Sequence, residues 1–486
     1  MLVVNTTMLQ AAEIQGVVRQ SCNGITTDSR QVQPGMLFFA IPGAKDDGGT
    51  YIADAISRGA AAIVVPESSA FTYSGVPILT SPHIRRSVAL LARQLYPRQP
   101  ETLVAVTGTN GKSSVVHFCQ QLWQHEGINS ASIGTVGVIT KDRFMPGSLT
   151  TPDALELMKT LDQLAKEGIT HAALEASSHG LDQERLTGVV LKAAAFLNLT
   201  RDHLDYHGTM EVYAAAKLRI FQELLPEGGA AVLNIDAAYA DAAKAIIVKR
   251  RQKLIVVSAR QAADIQLIKL MPRLAGTGVE LRWWGEKVTF ETPIVGGFQI
   301  ENMLAALGLV VGGGMVLNAV EVARLVPLLG AVRGRLERVS PNDSDIAVYV
   351  DYAHTPDGLQ TALKALRPHT KGKLFVVFGC GGNRDAGKRP LMGAIAQRCA
   401  DVVLVTDDNP RFEDAAAIRA AIVAAVPAAQ NIGDRGLAIA AAVNQAGPGD
   451  TILLAGKGHE KIQIIGNTAV PFSDQETVQK LFTSGA

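Results

Sequence analysis

The strongest constraint on the 486-residue chain is the stretch Thr107-Gly108-Thr109-Asn110-Gly111-Lys112-Ser113-Ser114. It follows Leu103-Val104-Ala105-Val106, an apolar run that predicts a buried parallel strand. It leads into Val115, Val116, Phe118, Cys119, Leu122 and Trp123, which form one apolar helix face. Strand, glycine turn, lysine, hydroxyl and helix is the order that binds a nucleoside triphosphate. The glycines let backbone N–H groups turn inward toward phosphate oxygens, and the helix N-terminus adds partial positive charge there. Lys112 is expected to reach the terminal phosphates and Ser113 to ligand Mg²⁺. Only two residues separate Gly108 from Gly111, fewer than in the ordinary phosphate loop. A plain turn between a core strand and a surface helix is therefore the competing reading.

Around this stretch the chain alternates strand and helix signals, which predicts an α/β fold with parallel sheets. Three domains are expected. Residues 1–96 form a small N-terminal α/β domain, ending near the Pro-punctuated Tyr96-Pro97-Arg98-Gln99-Pro100. Residues 97–330 form a central parallel-sheet ATPase domain of phosphate-loop type. Residues 331–486 form a C-terminal Rossmann-like domain with its own ligand edge. Near 265–292 short alternating strands around Trp283 and Trp284 predict an attached β ribbon. Thr151-Pro152-Asp153 reads as a helix start with Thr151 as the cap.

The net charge is +1, which gives no electrostatic case for nucleic acid or a membrane surface. Cys22, Cys119, Cys380 and Cys399 have no close spacing, which fits a reducing compartment. No apolar run reaches the ~18–20 residues of a membrane span, and the N-terminus lacks the basic start of a secretion signal. A cytoplasmic monomer is expected.

Glu175, at a strand end, is either a Mg²⁺ ligand or an acid capping a turn. His203, between Asp202 and Asp205, is either a ligand or a hydrogen-bonded spacer. Lys217 follows three alanines and is either a surface lysine or a group that something approaches closely. Polar loops at Thr26–Arg30 and Gly43–Gly48 are ligand candidates or solvated turns. In the third domain Asp351-Tyr352-Ala353-His354, Gly379–Asp385, Asp407–Arg411 and Gly456-Lys457-Gly458-His459-Glu460 fall at strand ends. A planar arginine in such a place suits bidentate capture of a carboxylate.

Together these motifs resemble the Mur ligases of peptidoglycan synthesis along nearly the whole chain. The long matches are Thr107–Ser114, Glu175–Leu181, Asn198–Gly208 and Asp351–Pro356. The family's loop usually ends Lys-Thr-Thr, and Ser113-Ser114 keeps the hydroxyl. The resemblance implies ATP bound by Gly108, Thr109, Asn110, Gly111, Lys112, Ser113 and Ser114, with Asn302, Arg335 and Asp351. It implies Lys112, Glu175, His203 and Lys217 as catalytic residues. It also implies two Mg²⁺ ions, one on Ser113 and Glu175, the other on His203 and Lys217 carbamylated to N6-carboxylysine.

The substrate implied is UDP-N-acetylmuramoyl-L-Ala-D-Glu, at Thr27, Ser29, Ala44, Lys45, Asp46, Thr150, Thr151, Ser177, Gln183 and Arg185. Asp408-Asn409-Pro410-Arg411 is similar to the motif of members that add meso-2,6-diaminopimelate; lysine-adding members lack the arginine. Arg384, Asp408, Asn409, Pro410, Arg411, Gly456 and Glu460 are accordingly expected to hold diaminopimelate. Its far end carries a carboxylate that lysine does not have. A sister ligase with another acceptor, a non-catalytic nucleotide-binding regulator and a kinase are the rival readings.

Overall fold

The computed structural model describes residues 7–8, 22–43, 47–69, 75–147, 149–341 and 343–484. The chain divides into two compact units. One holds Met1–Lys112, Glu126–Ile255 and Leu309–Met315; the other holds Ser113–His125, Val256–Gly308 and Val316–Ala486. Both have the expected α/β character.

In the first unit, an all-parallel sheet runs in the order Thr7–Met8, Ile78–Ser81, Ala62–Pro66, Met36–Phe39, Gly24–Thr26. Its strands are short and branched-apolar, as parallel strands buried on both faces must be. The same unit holds a second sheet. There Ala230–Asn234, Ala193–Phe196, Thr102–Thr107, His171–Glu175 and Ser130–Gly134 lie side by side in parallel. Gly137–Ile139 and Phe144–Pro146 continue it antiparallel at one edge. Helices Ile84–Leu95 and Ala154–Lys166 present Val88, Leu91, Leu157 and Leu161 to one continuous apolar core.

Register decides what this second sheet delivers at its carboxyl edge. Glu175 stands opposite Val106, and Phe196 stands opposite Thr107. The loop after Thr107, the Glu175 side chain and the segment after Phe196 therefore leave the sheet at one level, where parallel sheets bind ligands.

In the second unit, the expected ribbon is a three-stranded antiparallel meander, Ile265–Arg273, Gly276–Trp283 and Glu286–Thr292. Trp283 is buried with its indole N–H on the Leu317 carbonyl at 3.2 Å, whereas Trp284 is exposed. The helix that begins at Lys112 packs in this unit: Cys119 Sγ lies 3.7 Å from the Ala306 carbonyl. A further sheet orders Glu337–Arg338, Ala347–Asp351, Thr451–Ala455, Leu374–Phe378, Val402–Val405 and Gln430–Asn431, parallel except at Glu337–Arg338. Apolar side chains cover both of its faces.

One local expectation is corrected. The helix after Pro152 begins at Ala154, and its cap is Asp153, whose carboxylate accepts from the Glu156 N–H at 3.0 Å. Thr151 is engaged elsewhere, as described below. No helix among the described residues is long and apolar enough to cross a membrane.

Candidate active site

The glycine loop is held open from the neighbouring strand exit. Asn198 clamps Asn110 from both sides: Oδ1 accepts from its N–H at 2.9 Å, and Nδ2 donates to its carbonyl at 3.1 Å. The Thr109 hydroxyl lies 3.2 Å from the Tyr213 hydroxyl and accepts from the Thr200 N–H at 3.0 Å. Gly111 has φ +91°, a left-handed backbone that glycine adopts without strain. A Cβ on Gly108 would lie 3.0 Å from Leu197 Cβ.

Two lysines converge on this loop. Lys112 Nζ donates to the carbonyls of Gly108 and Thr109, each at 2.9 Å. Lys217, 1% exposed, donates to the same Gly108 carbonyl at 2.8 Å. Burial pulls the Lys217 pKa well below the ordinary 10.5; the Lys112 charge lowers it further, and Asp202 opposes. Burial and the neighbouring Lys112 charge therefore disfavour the ammonium form of Lys217.

Glu175 is buried on the adjacent strand. The Thr135 N–H donates to Oε1 at 2.9 Å, and the Thr135 hydroxyl lies 3.3 Å from Oε2. A Cβ on Gly134 would fall 2.0 Å from Oε1, so only glycine leaves room for the carboxylate.

His203 opens the helix Leu204–His207 with φ +52°. Its ring is half exposed, lies 3.5 Å from Asp202 Oδ2 and stands edge-on to His179, with centroids 4.8 Å apart. Tyr213 joins the two expected ligands: its ring centroid is 6.2 Å from that of His203 and 4.6 Å from Lys217 Nζ. Among the described residues no group of three or more His, Cys, Asp or Glu side chains is arranged to hold a metal ion.

Thr151, Ser177 and Arg185 form a polar ledge beside Glu175. The Thr151 hydroxyl donates to the Glu175 carbonyl at 2.7 Å, accepts from the Ser177 N–H at 2.9 Å and meets the Ser177 hydroxyl at 3.0 Å. Arg185 donates to the Thr151 carbonyl at 2.7 Å and to Gln183 Oε1 at 2.7 and 3.2 Å. These partners are all neutral oxygens, and no ion pair to Arg185 forms among the described residues. Thr150 meets Thr135 at 3.0 Å. In the first sheet, Ser29 is buried in a turn capped by Asp28, with Thr27 just before it. Ala44, Lys45 and Asp46 lie outside the described residues.

The second unit contains two groupings. Asn302 donates to Gln299 at 3.0 Å, and Gln299 to the Arg335 carbonyl at 3.4 Å. Asp351 accepts from the N–H groups of Leu336 and Ala353, each at 2.8 Å; burial raises its pKa and Arg335 opposes. Arg335 lies over the Tyr352 ring, 5.1 Å from its centroid.

The other grouping laces three strand-end loops together. Gly382 N–H donates to the Asn409 carbonyl, and Arg411 Nη1 donates to the Gly382 carbonyl, both at 2.9 Å. A Cβ on Gly382 would lie 1.9 Å from the carbonyl oxygen of buried Pro410. Arg411 has φ +52°, a conformation few side-chain-bearing residues adopt, and none of the described carboxylates pairs with it. Arg384 is exposed on the loop of Gly381 and Gly382. Asn409 Nδ2 donates to Glu460 Oε2 at 3.0 Å. Gly456 has φ +110° and abuts Asp408, where a Cβ would lie 3.5 Å from Oδ2.

Four contributors had no predicted role: Asn198, Tyr213, Thr135 and Lys457. Asn198 and Lys457 sit inside motifs the sequence already displayed. Thr135 and Tyr213 carry no local signal; only the fold brings them to the loop and to Glu175.

Three family models match the chain: Mur ligase family, catalytic domain, over residues 21–98; Mur ligase middle domain, over 106–310; and Mur ligase, glutamate ligase domain, over 334–458. A Rhizobium meliloti (strain 1021) protein named UDP-N-acetylmuramoyl-L-alanyl-D-glutamate–2,6-diaminopimelate ligase is 50% identical over 94% of this chain and 93% of its own length. A Caulobacter vibrioides (strain ATCC 19089 / CIP 103742 / CB 15) protein of the same name is 48% identical over 94% and 95%. A solved structure of a ligase with that name superposes with a TM-score of 0.73 at 35% identity, covering 96% of each chain. A Thermotoga maritima MurF ligase bound to ADP shares the fold at 19% identity and a TM-score of 0.59. The three models in sequence and the relatives 48–50% identical over 94% of the chain lead to one conclusion: this chain belongs to the Mur ligase family.

Proposed function

We propose that the chain is an ATP-dependent amide ligase of peptidoglycan precursor synthesis. It joins meso-2,6-diaminopimelate to the D-Glu side-chain carboxylate of UDP-N-acetylmuramoyl-L-Ala-D-Glu. The supporting observation is the assembly at one sheet edge of a glycine loop, a buried carboxylate and a buried lysine whose ammonium form is disfavoured.

The donors fit Mg²⁺. That ion takes hard oxygen ligands and keeps several waters, so one carboxylate and one hydroxyl suffice when phosphates complete the shell. Ser113 and Glu175 would hold one ion. A lysine ammonium could not help hold a second. The neutral Lys217 amine can attack CO₂, lose a proton and become an anionic carbamate, which with His203 is a fitting ligand pair. Bound Mg²⁺ supplies charge neutralisation on the transferring phosphoryl group.

The chain's own groups would do the rest. Loop N–H groups and Lys112 hold the β- and γ-phosphates. Asn302, Arg335 and Asp351 hold the nucleotide. Arg185, with no ion pair among the described residues, would take an acidic group of the precursor with Gln183, Ser177 and Thr151, while Thr27 and Ser29 hold its UDP end. The D-Glu carboxylate oxygen attacks the γ-phosphorus, ADP leaves, and an acyl phosphate results. The diaminopimelate amine attacks the acyl carbon, loses a proton and expels phosphate. Arg411 and Arg384 would bind the far carboxylate of diaminopimelate, and Glu460 its far ammonium, with Asn409 and Gly456 beside them. Discrimination against lysine follows, because lysine leaves Arg411 without an anion.

Phosphate release from ATP and Mg²⁺ in the presence of the UDP-linked dipeptide tests the reading. Release should need meso-diaminopimelate and fail with L-lysine. Release with lysine alone would overturn the acceptor assignment, and no release with either would overturn the ligase.

A further inference from the structure

Lys457 is fully buried, yet neither the loop nor the acceptor roles above use it. Its ammonium is surrounded by the residues proposed to hold the acceptor. Nζ donates to Asn409 Oδ1 and to Glu460 Oε2, both at 3.2 Å, and lies 3.7 Å from Asp408 Oδ1. The Ile464 N–H also donates to Asn409 Oδ1, at 2.9 Å. With two donors on its oxygen, the Asn409 amide can present only its NH₂ to Glu460, and it does so at 3.0 Å on Oε2. Both contacts fall on one carboxylate oxygen. Glu460 Oε1 takes neither of these contacts, on a side chain still 29% exposed.

From this geometry we infer that Lys457 is a positioning residue for the amino-acid acceptor: it fixes the Asn409 amide, occupies Glu460 Oε2 and so reserves Oε1 for the acceptor's distal ammonium. The inference rests on the ligase reading above. A lysine placed only for stability would serve equally well on the two carboxylates. The contact with neutral Asn409, and the convergence of two donors on one Glu460 oxygen, are what orient the site. The Ile462–Ile465 strand completes the frame. Ile464 accepts from the Arg411 N–H at 3.1 Å, and Gln463 Nε2 donates to the Asp408 carbonyl at 2.6 Å. Orientation of Asn409 and Glu460 is thereby tied to the backbone that carries Arg411.

The test compares the unsubstituted protein with Lys457→Met, which keeps the length of the side chain without its charge, and Lys457→Gln, which keeps a donor. Michaelis constants for diaminopimelate, ATP and the UDP-linked dipeptide are measured separately. The expected result for Lys457→Met is a diaminopimelate KM raised by about 30-fold or more, the other two within about twofold. That corresponds to losing charge-assisted bonds worth about 2 kcal/mol or more. Lys457→Gln should fall between. Adding Glu460→Gln to Lys457→Met should raise the diaminopimelate KM by far less than Glu460→Gln does alone, because both changes break one link.

An unchanged diaminopimelate KM, an equal rise in all three constants, or additive effects in the double variant overturns the inference. So does failure of both Lys457 variants to accumulate as folded protein, which would make the lysine a structural brace. The parent enzyme separates the two readings: if it releases no phosphate with diaminopimelate, the ligase assignment fails; if it does and the variants match it, only the role of Lys457 fails.

Discussion

The nucleotide loop and the acceptor loops solve opposite problems. At Gly108–Lys112 the loop is shaped through its backbone, which Asn198 clamps at Asn110, and through the Thr109 hydroxyl, which meets the Tyr213 hydroxyl. Lys112 and Lys217 both reach the Gly108 carbonyl, and burial beside Lys112 disfavours the charged form of Lys217, so Lys112 is the ammonium kept for phosphate. At Asp408–Arg411 and Gly456–Glu460 the working groups are side chains: Asn409 and Glu460 hold each other, with charges already paired around Lys457, and Arg411 is held by the Gly382 carbonyl. Phosphate is recognised by a curl of N–H groups that any sequence with the right glycines can make. A zwitterionic amino acid needs fixed charges at fixed positions, so its site is a network.

Lys217→Ala offers the sharpest break. If the loop site does the activation, turnover should fall by about 10³-fold, the scale on which charge stabilisation of a transition state acts. KM for diaminopimelate should stay within about twofold; steady-state kinetics at saturating ATP decide. Next is Arg411→Ala. Leaving the acceptor carboxylate unpaired costs about 2–5 kcal/mol, so kcat/KM for diaminopimelate should drop at least 30-fold while ATP affinity, read by calorimetry, is unchanged. An equal loss of ATP affinity would erase the division of labour.

Smaller effects sharpen the same contrast. Thr135→Val removes one hydroxyl contact to Glu175 and keeps the N–H bond. A fall in kcat of about fivefold is expected, from a hydrogen bond worth about 1 kcal/mol. The smallest effect concerns pH. The Lys217 pKa is lowered in the fold, so the unfolded chain binds more protons between that lowered value and the ordinary 10.5. Stability then rises with pH across that window, and is lost as pH falls through the lowered value. Lys217→Met should flatten the slope in denaturant titrations run at successive pH values, without added CO₂.

The same contrast governs how much could be read from the sequence. Thr107 to Ser114 is contiguous, so strand, turn and helix were visible at once. The parallel sheets followed from the alternation of short apolar runs. The grip of Lys217 on Gly108 spans more than a hundred residues of chain, and spacing alone left it as one lysine among many. The acceptor network draws on three separate strand ends. Arg411 was legible through its motif, whereas Lys457 lay between two glycines with nothing local to mark it as buried. The buried ion pair of Arg435 with Asp474, at 2.7 Å, was likewise invisible, although it secures the Ala455 carbonyl just before Gly456. Thr151 was misplaced for a related reason. Its residue type suits a helix cap, but Asp153 was nearer the helix, and the Glu175 carbonyl took the threonine hydroxyl.

The most direct test follows the carboxylate oxygen. The UDP-linked dipeptide is prepared with both D-Glu side-chain oxygens as ¹⁸O and incubated with ATP, Mg²⁺ and either diaminopimelate or lysine. Activation at the loop and acceptor choice at the C-terminal network together predict inorganic phosphate carrying one ¹⁸O, formed with diaminopimelate and absent with lysine. Unlabelled phosphate would mean that water, not the substrate carboxylate, attacks ATP, and would contradict the account at its centre.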